Sequence, residues 1–411
     1  MTTTPITPAI RFLLFTIFIN AMGFGIIVPV TPDLVMALGD TDVSGATAIG
    51  GWLAASYAVM QFVCGPIVGN LSDRFGRRPV ILISLFGFAI EFLLMAIAPS
   101  LFWLFLARIL SGMFGATQGP AQSAIADIIT PDDRARVYSL LSAAFAIGFV
   151  AGPALGGLLG GLGVRVPFFV AAALAMANLI YGLWACKETL TPERRRPFDW
   201  RRANPVGALR QARLIPGIMP LAFIYFLWQL ASICYPLIWN YYTKGKFDWT
   251  PELIGLSLGA IGVSMGVVNI LIAPKIMKRF REKKTALIGM GIGAVAMVAN
   301  ALAPQAWMLF PLCALVAFQA LTHPALTAMM TRYGTASTQG EVQGFASSVM
   351  ALGAIAAPLM FNPLHSYFTS SAAPFRFDGA PLVLAAGIAA LAFVLLLMRK
   401  EEASDPASPQ A

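Results

Sequence analysis

The chain has 411 residues, of which 58% are hydrophobic and only 11% charged, and its net charge is +9. Because soluble domains carry about a quarter of their residues as charged side chains, this composition excludes an ordinary soluble globular protein. Anchoring at an anionic membrane leaflet explains the positive charge, so we expect lipid contact and no nucleic-acid partner. The four cysteines lack metal-ligand spacing and imply no disulfide framework, so we expect no metal site.

Twelve apolar stretches follow one another along the chain, and a bilayer-spanning helix needs about 20 such residues. Backbone groups must be satisfied internally in lipid, so these stretches predict helices, and the alternating segments of an outer-membrane barrel are absent. The first stretch is too long for a cleaved signal peptide. We therefore predict an all-α membrane protein with transmembrane helices near 9–32, 49–70, 79–98, 102–127, 137–160, 166–186, 214–240, 252–274, 285–303, 306–331, 342–366 and 380–399.

The distribution of Lys and Arg predicts the orientation of these helices. If both termini are cytoplasmic, 23 of the 28 basic residues lie on the cytoplasmic side, against four in the outer loops and Arg108 within a span. Cytoplasmic loops carry such an excess. We therefore expect a multi-pass protein of a bacterial-type inner membrane with both termini inside.

An internal repeat divides the chain into two pseudo-symmetric six-helix bundles. The segment 148–153 recurs at 353–358, an offset of 205 residues, which predicts bundles at 1–186 and 214–399. Such repeats favour rocking of one bundle against the other around a midplane site. The cytoplasmic linker 187–213 is either solvated or lies on the inner leaflet with Trp200 at headgroup depth. The tail 400–411 is expected to be disordered.

A charged loop joins the second and third spans, and residues 69–79 read Gly-Asn-Leu-Ser-Asp-Arg-Phe-Gly-Arg-Arg-Pro. This loop resembles the signature loop of the major facilitator superfamily, which implies an alternating-access carrier. We expect Asp73 to accept hydrogen bonds from Arg77 and from the start of span eleven near Gln343, closing a cytoplasmic gate in the outward-open state. The alternative is that these charges only set topology. The expected gate residues are Gly69, Asp73, Arg74, Gly76, Arg77 and Arg78.

Glu91 is the only acidic residue deep within a predicted span. It lies about 18 Å from the cytoplasmic end of its helix, at 1.5 Å per residue. Spans three and four meet at Pro99-Ser100, and Glu91 and Arg108 are equidistant from that turn. The two side chains should therefore lie at the same depth, where a proton can compete with Arg108 for the carboxylate. The alternative is a static ion pair that fixes helix packing.

Span five carries glycines every four residues on one helix face, a spacing that allows close approach of a neighbouring helix. Pro153 adds a position for a kink. The pattern resembles a motif of drug:proton antiporters within the superfamily, where it marks exporters, whereas ordinary tight packing is the alternative. The residues concerned are Gly148, Gly152, Pro153 and Gly156.

Polar and aromatic residues at membrane depth are candidates for a substrate pocket. Helices one, four, seven and ten line the cavity in the superfamily that the loop resembles, and aromatic side chains could stack on a flat ligand. Each could instead be a packing or interhelical hydrogen-bonding residue. The candidates are Asn20, Tyr57, Gln61, Gln118, Gln122, Tyr225, Trp228, Gln229, Gln319 and His323.

Nearly the whole chain resembles the tetracycline-efflux branch of drug:proton antiporters, on segments such as 25–32, 57–62, 107–109, 126–127 and 167–169. The resemblance implies a proton-driven exporter of a flat amphipathic compound. We expect a monomer, because one bundle encloses a complete pathway. Members of this branch carry acids in helix one, where this chain has Asn20, and in helix nine, where residues near Gly293 are uncharged. These differences favour a related exporter with another cargo.

Several other functions remain to be weighed against proton antiport. A proton symporter or facilitator that imports a small metabolite would use the same scaffold. A transport-inactive sensor would leave the gate loop and the glycine helix without purpose. No nucleotide-binding motif or nucleophile–base set supports an enzyme, so we expect no cofactor besides the coupling proton.

Overall fold

The structure is a computed structural model that describes residues 7–115, 118–129, 133–200, 217–333 and 339–399. Linker residues 201–216 lie outside the described residues. The tail 400–411, for which we expect disorder, also lies outside them.

Twelve helices in the described ranges are long and apolar enough to cross a membrane, which confirms the predicted number. Large apolar side chains such as Trp184, Phe102 and Leu158 are exposed on the helix surfaces, as expected where the surrounding solvent is lipid. The helices are α1 Pro8–Ile27, α2 Val43–Phe75, α3 Arg77–Ile97, α4 Leu101–Phe114 with Gln118–Ile128, α5 Arg136–Gly160, α6 Val166–Ala185, α7 Ile218–Phe247, α8 Pro251–Arg279, α9 Glu282–Leu302, α10 Ala306–Thr331, α11 Val342–Thr369 and α12 Ala380–Met398.

The first two helices differ from their predicted limits. The span expected at 9–32 ends at Ile27, and a short separate helix, Thr31–Gly39, follows with Pro32 in its first turn. The second helix starts at Val43 rather than near 49, because the Asp42 side chain accepts a hydrogen bond from the Gly45 backbone N–H at 2.9 Å and caps it. Hydropathy marks only the lipid-embedded part of a helix, so helical turns beyond the lipid were not predicted.

Two helices contain irregular turns. The helix α8 has a π-helical turn at Val268–Ile272, and α10 has a 3-10 turn at Ala317–Leu321. Each is followed within three residues by a proline, Pro274 or Pro324. Proline cannot donate to the preceding turn of an α-helix, which locally disturbs the hydrogen-bond ladder.

Helices α1–α6 and α7–α12 form two halves with separate buried apolar clusters. The largest cluster lies in the second half around α7, with Trp228, Trp239 and Tyr242 fully buried. The halves meet where α2 packs against α11 and α5 against α8. The contacts of α2 with α11 lie at the end opposite the signature loop, as in the hydrogen bond from the Ser44 hydroxyl to the Ser366 carbonyl oxygen at 2.8 Å.

The halves are apart at the signature-loop end. Within the described part of the chain, an added methyl group at Gly65 or Gly69 on α2, at Gly266 on α8, or at Gly344 on α11 would meet no atom of a neighbouring element within 4 Å. The molecule is thus closed at one end, which we call the seam end, and open between the halves at the signature-loop end.

Candidate functional site

Glu91 on α3 and Arg108 on α4 form an ion pair inside the first half. The Arg108 Nη1 atom lies 3.7 Å from Glu91 Oε1, and Glu91 is only 1% exposed. The structure thus brings together the two residues that the sequence places at one depth. The other carboxylate oxygen, Oε2, has no hydrogen-bond partner, and Arg108 Nη2 contacts the Met95 sulfur at 3.2 Å. Buried ion pairs are stable only with good geometry and further hydrogen bonds, so this pair has unused bonding capacity.

The ion pair lines a cavity of about 250 Å³, which we call the central cavity. Three predicted pocket residues also line it: Asn20 of α1, and Tyr57 and Gln61 of α2. The Gln61 amide donates to the Tyr57 hydroxyl at 2.9 Å. Sequence reasoning missed most of the wall, since phenylalanines in apolar helices carry no distinguishing signal. The missed lining residues include Thr16, Phe24, Phe88, Phe92, Ser111, Phe145 and Phe149.

The five predicted pocket residues of the second half are buried or half-buried and do not line the central cavity. The Tyr225 ring lies 5.6 Å from the His323 ring, and Gln319 and Trp228 approach each other at Gly293. One nitrogen or oxygen in each of four of these side chains is buried without a hydrogen-bond partner: Trp228 Nε1, Gln229 Oε1, Gln319 Nε2 and His323 Nδ1.

The two remaining pocket candidates lie on the second segment of α4. Gln122 is exposed and does not line the central cavity, so the structure does not bring it together with Glu91. The side chain of Gln118 lies outside the described residues.

Arg77 is the centre of the signature loop. Its guanidinium donates to Asp73 at 2.6 Å, to Asp127 at 3.2 Å and to the Ser72 hydroxyl at 3.1 Å. In the described residues, Asp73 therefore has its predicted partner Arg77, while Gly344 of α11 has open space around it. The contact between Asp73 and α11 was predicted for the opposite, outward-open arrangement, and it stays a prediction.

The start of the linker is bound to this loop, which the sequence did not predict. The Glu188 carboxylate accepts hydrogen bonds from the backbone N–H groups of Arg77 at 2.9 Å and Arg78 at 3.3 Å, at the N-terminus of α3. Asn70 donates to the Asp199 carbonyl oxygen at 2.7 Å. Glu188 and Asp199 thus attach the described part of the linker to the loop, while residues 191–197 are exposed and Trp200 remains 74% exposed.

The glycines of α5 lie on two packing faces. Gly148, Gly152 and Gly156 face the carbonyl oxygens of Phe18, Met22 and Ile26 on α1. Each glycine lies four residues after the one before it, and so does the carbonyl oxygen that it faces. Gly157, Gly160 and Gly161 instead face residues 251 and 252 of α8, across the two halves. One helix thus packs closely within its own half and against the other half.

Polar contacts close the seam end. We call the group Ser44, Thr47, Asn362, His365 and Ser366 the outer seam. Within it, Thr47 Oγ1 lies 3.1 Å from His365 Nδ1, and Asn362 donates to the Thr47 carbonyl oxygen at 2.9 Å. The sequence offered one unused signal, because Asn362 and His365 interrupt an otherwise apolar span.

Charged pairs surround the outer seam. Lys244 at the end of α7 pairs with Asp33 of the short helix at 2.7 Å and so joins the two halves. Arg376 pairs with Asp378 in the loop before α12. The hydrogen bond to Asp378 raises the pKa of the Arg376 guanidinium above its usual value.

Twelve membrane-spanning helices in two halves, the first of which holds a buried ion pair beside a cavity, define a multi-pass membrane transport protein. The model of the Major Facilitator Superfamily matches residues 13–358 and 221–411, and the chain belongs to this superfamily. The class C tetracycline resistance protein of Escherichia coli is 38% identical over 363 residues, which cover 88% of this chain and 91% of that protein. The class G protein of Vibrio anguillarum is 37% identical over 361 residues, covering 86% and 89%.

The fold is shared with a solved transporter of low sequence identity. The crystal structure of the human organic anion transporter MFSD10 (TETRAN) matches with a TM-score of 0.71 at 23% identity, covering 96% of this chain and 100% of that one. The predicted superfamily, the twelve-helix fold and the relationship to tetracycline efflux proteins are confirmed.

Proposed function

We propose that this chain is a proton-coupled exporter that moves a small amphipathic compound out of the cell in exchange for protons. The observation that supports this best is the Glu91–Arg108 pair, which lies in a cavity walled by aromatic rings. Aromatic walls suit a flat apolar ligand. An ionisable pair at membrane depth is costly and usually marks an ion pathway.

Coupling would depend on the carboxylate of Glu91. In its charged form it is attracted to Arg108, and in its protonated form it loses that attraction and becomes a hydrogen-bond donor. Cargo that binds beside the pair changes the free energy of the charged Glu91 carboxylate relative to its protonated form, so cargo and proton compete. This competition links proton release to cargo binding, as antiport requires.

The two ends of the molecule would act as alternating gates. We place the signature-loop end in the cytoplasm because the basic residues concentrate there. The structure then corresponds to an inward-open carrier in a bacterial inner membrane. Closure of the cytoplasmic end would bring Asp73 to the N-terminus of α11, where the helix dipole favours an anion.

The cargo would differ from a metal–tetracycline complex. Asn20 supplies an amide in the central cavity, and α9 presents Gly293 next to Trp228 and Gln319 rather than an acid. Glu91 is then the one carboxylate that the cavity offers among its described lining residues. A bound divalent cation generally needs more oxygen ligands than this.

A proton symporter or facilitator that imports a metabolite is the second candidate. Arg108 lines the cavity and makes only one long contact to Glu91, so protonation of Glu91 would free it for an anionic ligand. Proton binding would then favour cargo binding instead of opposing it.

Uptake into inverted vesicles tests the proposal. Labelled tetracycline and ethidium would be offered to vesicles with an acidic lumen, with the wild type beside Glu91→Gln and, as a control, the exposed Glu193→Gln. We expect gradient-driven accumulation in the wild type and the control, and a loss of at least about tenfold in Glu91→Gln. Accumulation that persists in Glu91→Gln would make the pair structural. Accumulation of either compound only under the opposite gradient would favour the symporter.

A further inference from the structure

A second cavity lies on the seam side of the ion pair. It has a volume of about 140 Å³ and shares Phe24, Ile27, Tyr57 and Arg108 with the central cavity. The rest of its wall comes from both halves, including Gly50 and Ala54 of α2 and Asn240 and Tyr241 of α7. Arg108 and Tyr57 therefore separate two compartments along the axis of the molecule. We call the second one the seam-side chamber.

The seam-side chamber is smaller than the central cavity and has room for water. A water molecule needs at least about 10–15 Å³ and two to four polar partners, and the chamber measures about 140 Å³ against about 250 Å³ for the central cavity. Most of the chamber wall is apolar, and its polar residues are Thr31, Tyr57, Asn240, Tyr241 and Arg108. The Thr31 hydroxyl and the Asn240 amide already bond to the backbone, so Tyr57, Tyr241 and Arg108 are the groups that could hold water next to the ion pair.

His365 lies between this chamber and the seam end. It is completely buried, its Nδ1 atom is 3.1 Å from the Thr47 hydroxyl, and its Nε2 atom has no hydrogen-bond partner. Thr47 precedes the chamber residue Gly50 by three residues, about 4.5 Å at 1.5 Å per residue. An imidazole with a free ring nitrogen thus lies about one turn beyond the chamber.

The charged groups that act on His365 come from the loop after α11. They are Asp378 and Arg376, which pair with each other, while α2 presents the uncharged hydroxyl of Thr47. The seam therefore holds a titratable ring without a direct carboxylate partner. A neutral imidazole has one donor and one acceptor nitrogen, so it can pass a proton from one side to the other.

We propose that His365 and the seam-side chamber form the route by which protons reach Glu91 from the outer side of the membrane. This inference rests on the proposed function. A hydronium ion gives its proton to the free ring nitrogen, and the ring releases the proton of its other nitrogen to chamber water, so the imidazole ends neutral. The chamber water then gives the proton to the Glu91 carboxylate, which becomes a carboxyl group. The outer seam has to loosen only by the width of a water molecule.

Two variants test this route separately from cargo transport. His365→Gln keeps a polar side chain but cannot relay a proton, and Ala54→Leu fills the chamber while Glu91 and Arg108 themselves stay unchanged. Ser366→Ala is the control, since it weakens the same seam and keeps the imidazole. Each protein would be reconstituted and assayed with labelled tetracycline or ethidium, first under a proton gradient and then in cargo exchange at equal pH.

We expect the gradient-driven rate to fall at least about tenfold in His365→Gln and Ala54→Leu, because general acid–base relays contribute factors of this order or more. Exchange at equal pH should stay within about twofold of the wild type, since it needs no net proton transfer. A wild-type driven rate in either variant would overturn the route. Loss of exchange in both variants would also overturn the route, because the substitutions would then act by keeping the outer seam closed rather than by blocking proton transfer. If the wild type itself shows no gradient-driven transport, the proposed function fails instead.

Discussion

Arg108 is the residue at which the buried carboxylate and both cavities meet. Its guanidinium contacts Glu91 and the Met95 sulfur, and it lines the central cavity and the seam-side chamber. A charge in this position favours ionised Glu91 and disfavours a hydronium ion at rest in the chamber. Its removal should therefore affect stability as well as coupling.

Replacement of Arg108 by Leu should destabilise the protein more than joint replacement of Arg108 and Glu91. The single variant leaves a buried charge without a partner, which costs about 3–5 kcal/mol, whereas Arg108→Leu with Glu91→Gln removes both charges. Thermal unfolding of the detergent-solubilised proteins measures the difference. A double variant less stable than Arg108→Leu would show that the pair is not coupled.

Gly76, at the turn between α2 and α3, is a second residue whose backbone conformation and contacts require a small side chain. Its φ of +106° lies in the region that favours glycine, and an added methyl group would overlap the Glu188 carboxylate. Gly76→Ala should therefore lower stability by about 1–3 kcal/mol. The same thermal unfolding assay checks this value, with Gly69→Ala as the control because a methyl group there meets no atom within 4 Å. Equal stability of the two variants would contradict the prediction.

At the scale of the element, α5 connects the two halves through glycines on both of its faces. Gly156 packs on the Ile26 carbonyl oxygen of α1, and Gly157 packs on the backbone of α8. Small residues allow such backbone contact in membranes, where helix association depends on close packing. The arrangement suits a helix that must hold its own half together while the other half slides over it.

Gly156→Ala should destabilise the protein by about 1–3 kcal/mol, because the methyl group would push α1 and α5 apart. Gly387→Ala in α12 is the matched control, since a methyl group there meets no atom within 4 Å. Fluorescence-detected chromatography after heating gives the remaining folded fraction of each. A control as unstable as Gly156→Ala would contradict the prediction, because the loss would then not come from the contact between α1 and α5.

At the scale of the whole molecule, the two halves are joined at one end and apart at the other. The outer seam and the Lys244–Asp33 pair hold the seam end, while Gly69 of α2 and Gly344 of α11 have open space around them. Alternating access requires the reverse arrangement as well. The seam contacts must then be broken in each cycle.

A disulfide across the seam should trap this arrangement. The hydroxyl oxygens of Ser44 and Ser366 lie 3.4 Å apart, so Ser44→Cys with Ser366→Cys should form a bond under mild oxidation and stop transport until a reductant is added. Gel mobility and vesicle uptake measure the two effects. The pair Gly69→Cys with Gly344→Cys serves as the comparison and should cross-link only slowly. Full transport by the oxidised seam variant would contradict the need for seam opening.

Much of the candidate site could be located from the sequence because lipid makes polar residues conspicuous. Glu91 and Arg108 stood out in apolar spans, and equal distances from the turn at Pro99 placed them at one depth. Asn20, Tyr57 and Gln61 were identified in the same way and line the central cavity. The same criterion also selected Gln122, which is exposed, because helix periodicity alone does not say which face of α4 meets a neighbour.

The sequence by itself determined the number of helices, the superfamily and the depth of the ion pair, since hydropathy, a contiguous loop motif and spacing along a hairpin are local properties of the chain. Only the tertiary structure decided the attachment of Glu188 to the signature loop, the pairing of Thr47 with His365 and the aromatic wall of the cavity. The partners in the first two of these contacts are 111 and 318 residues apart. Their pairing depends on how whole helices pack, which no local pattern specifies.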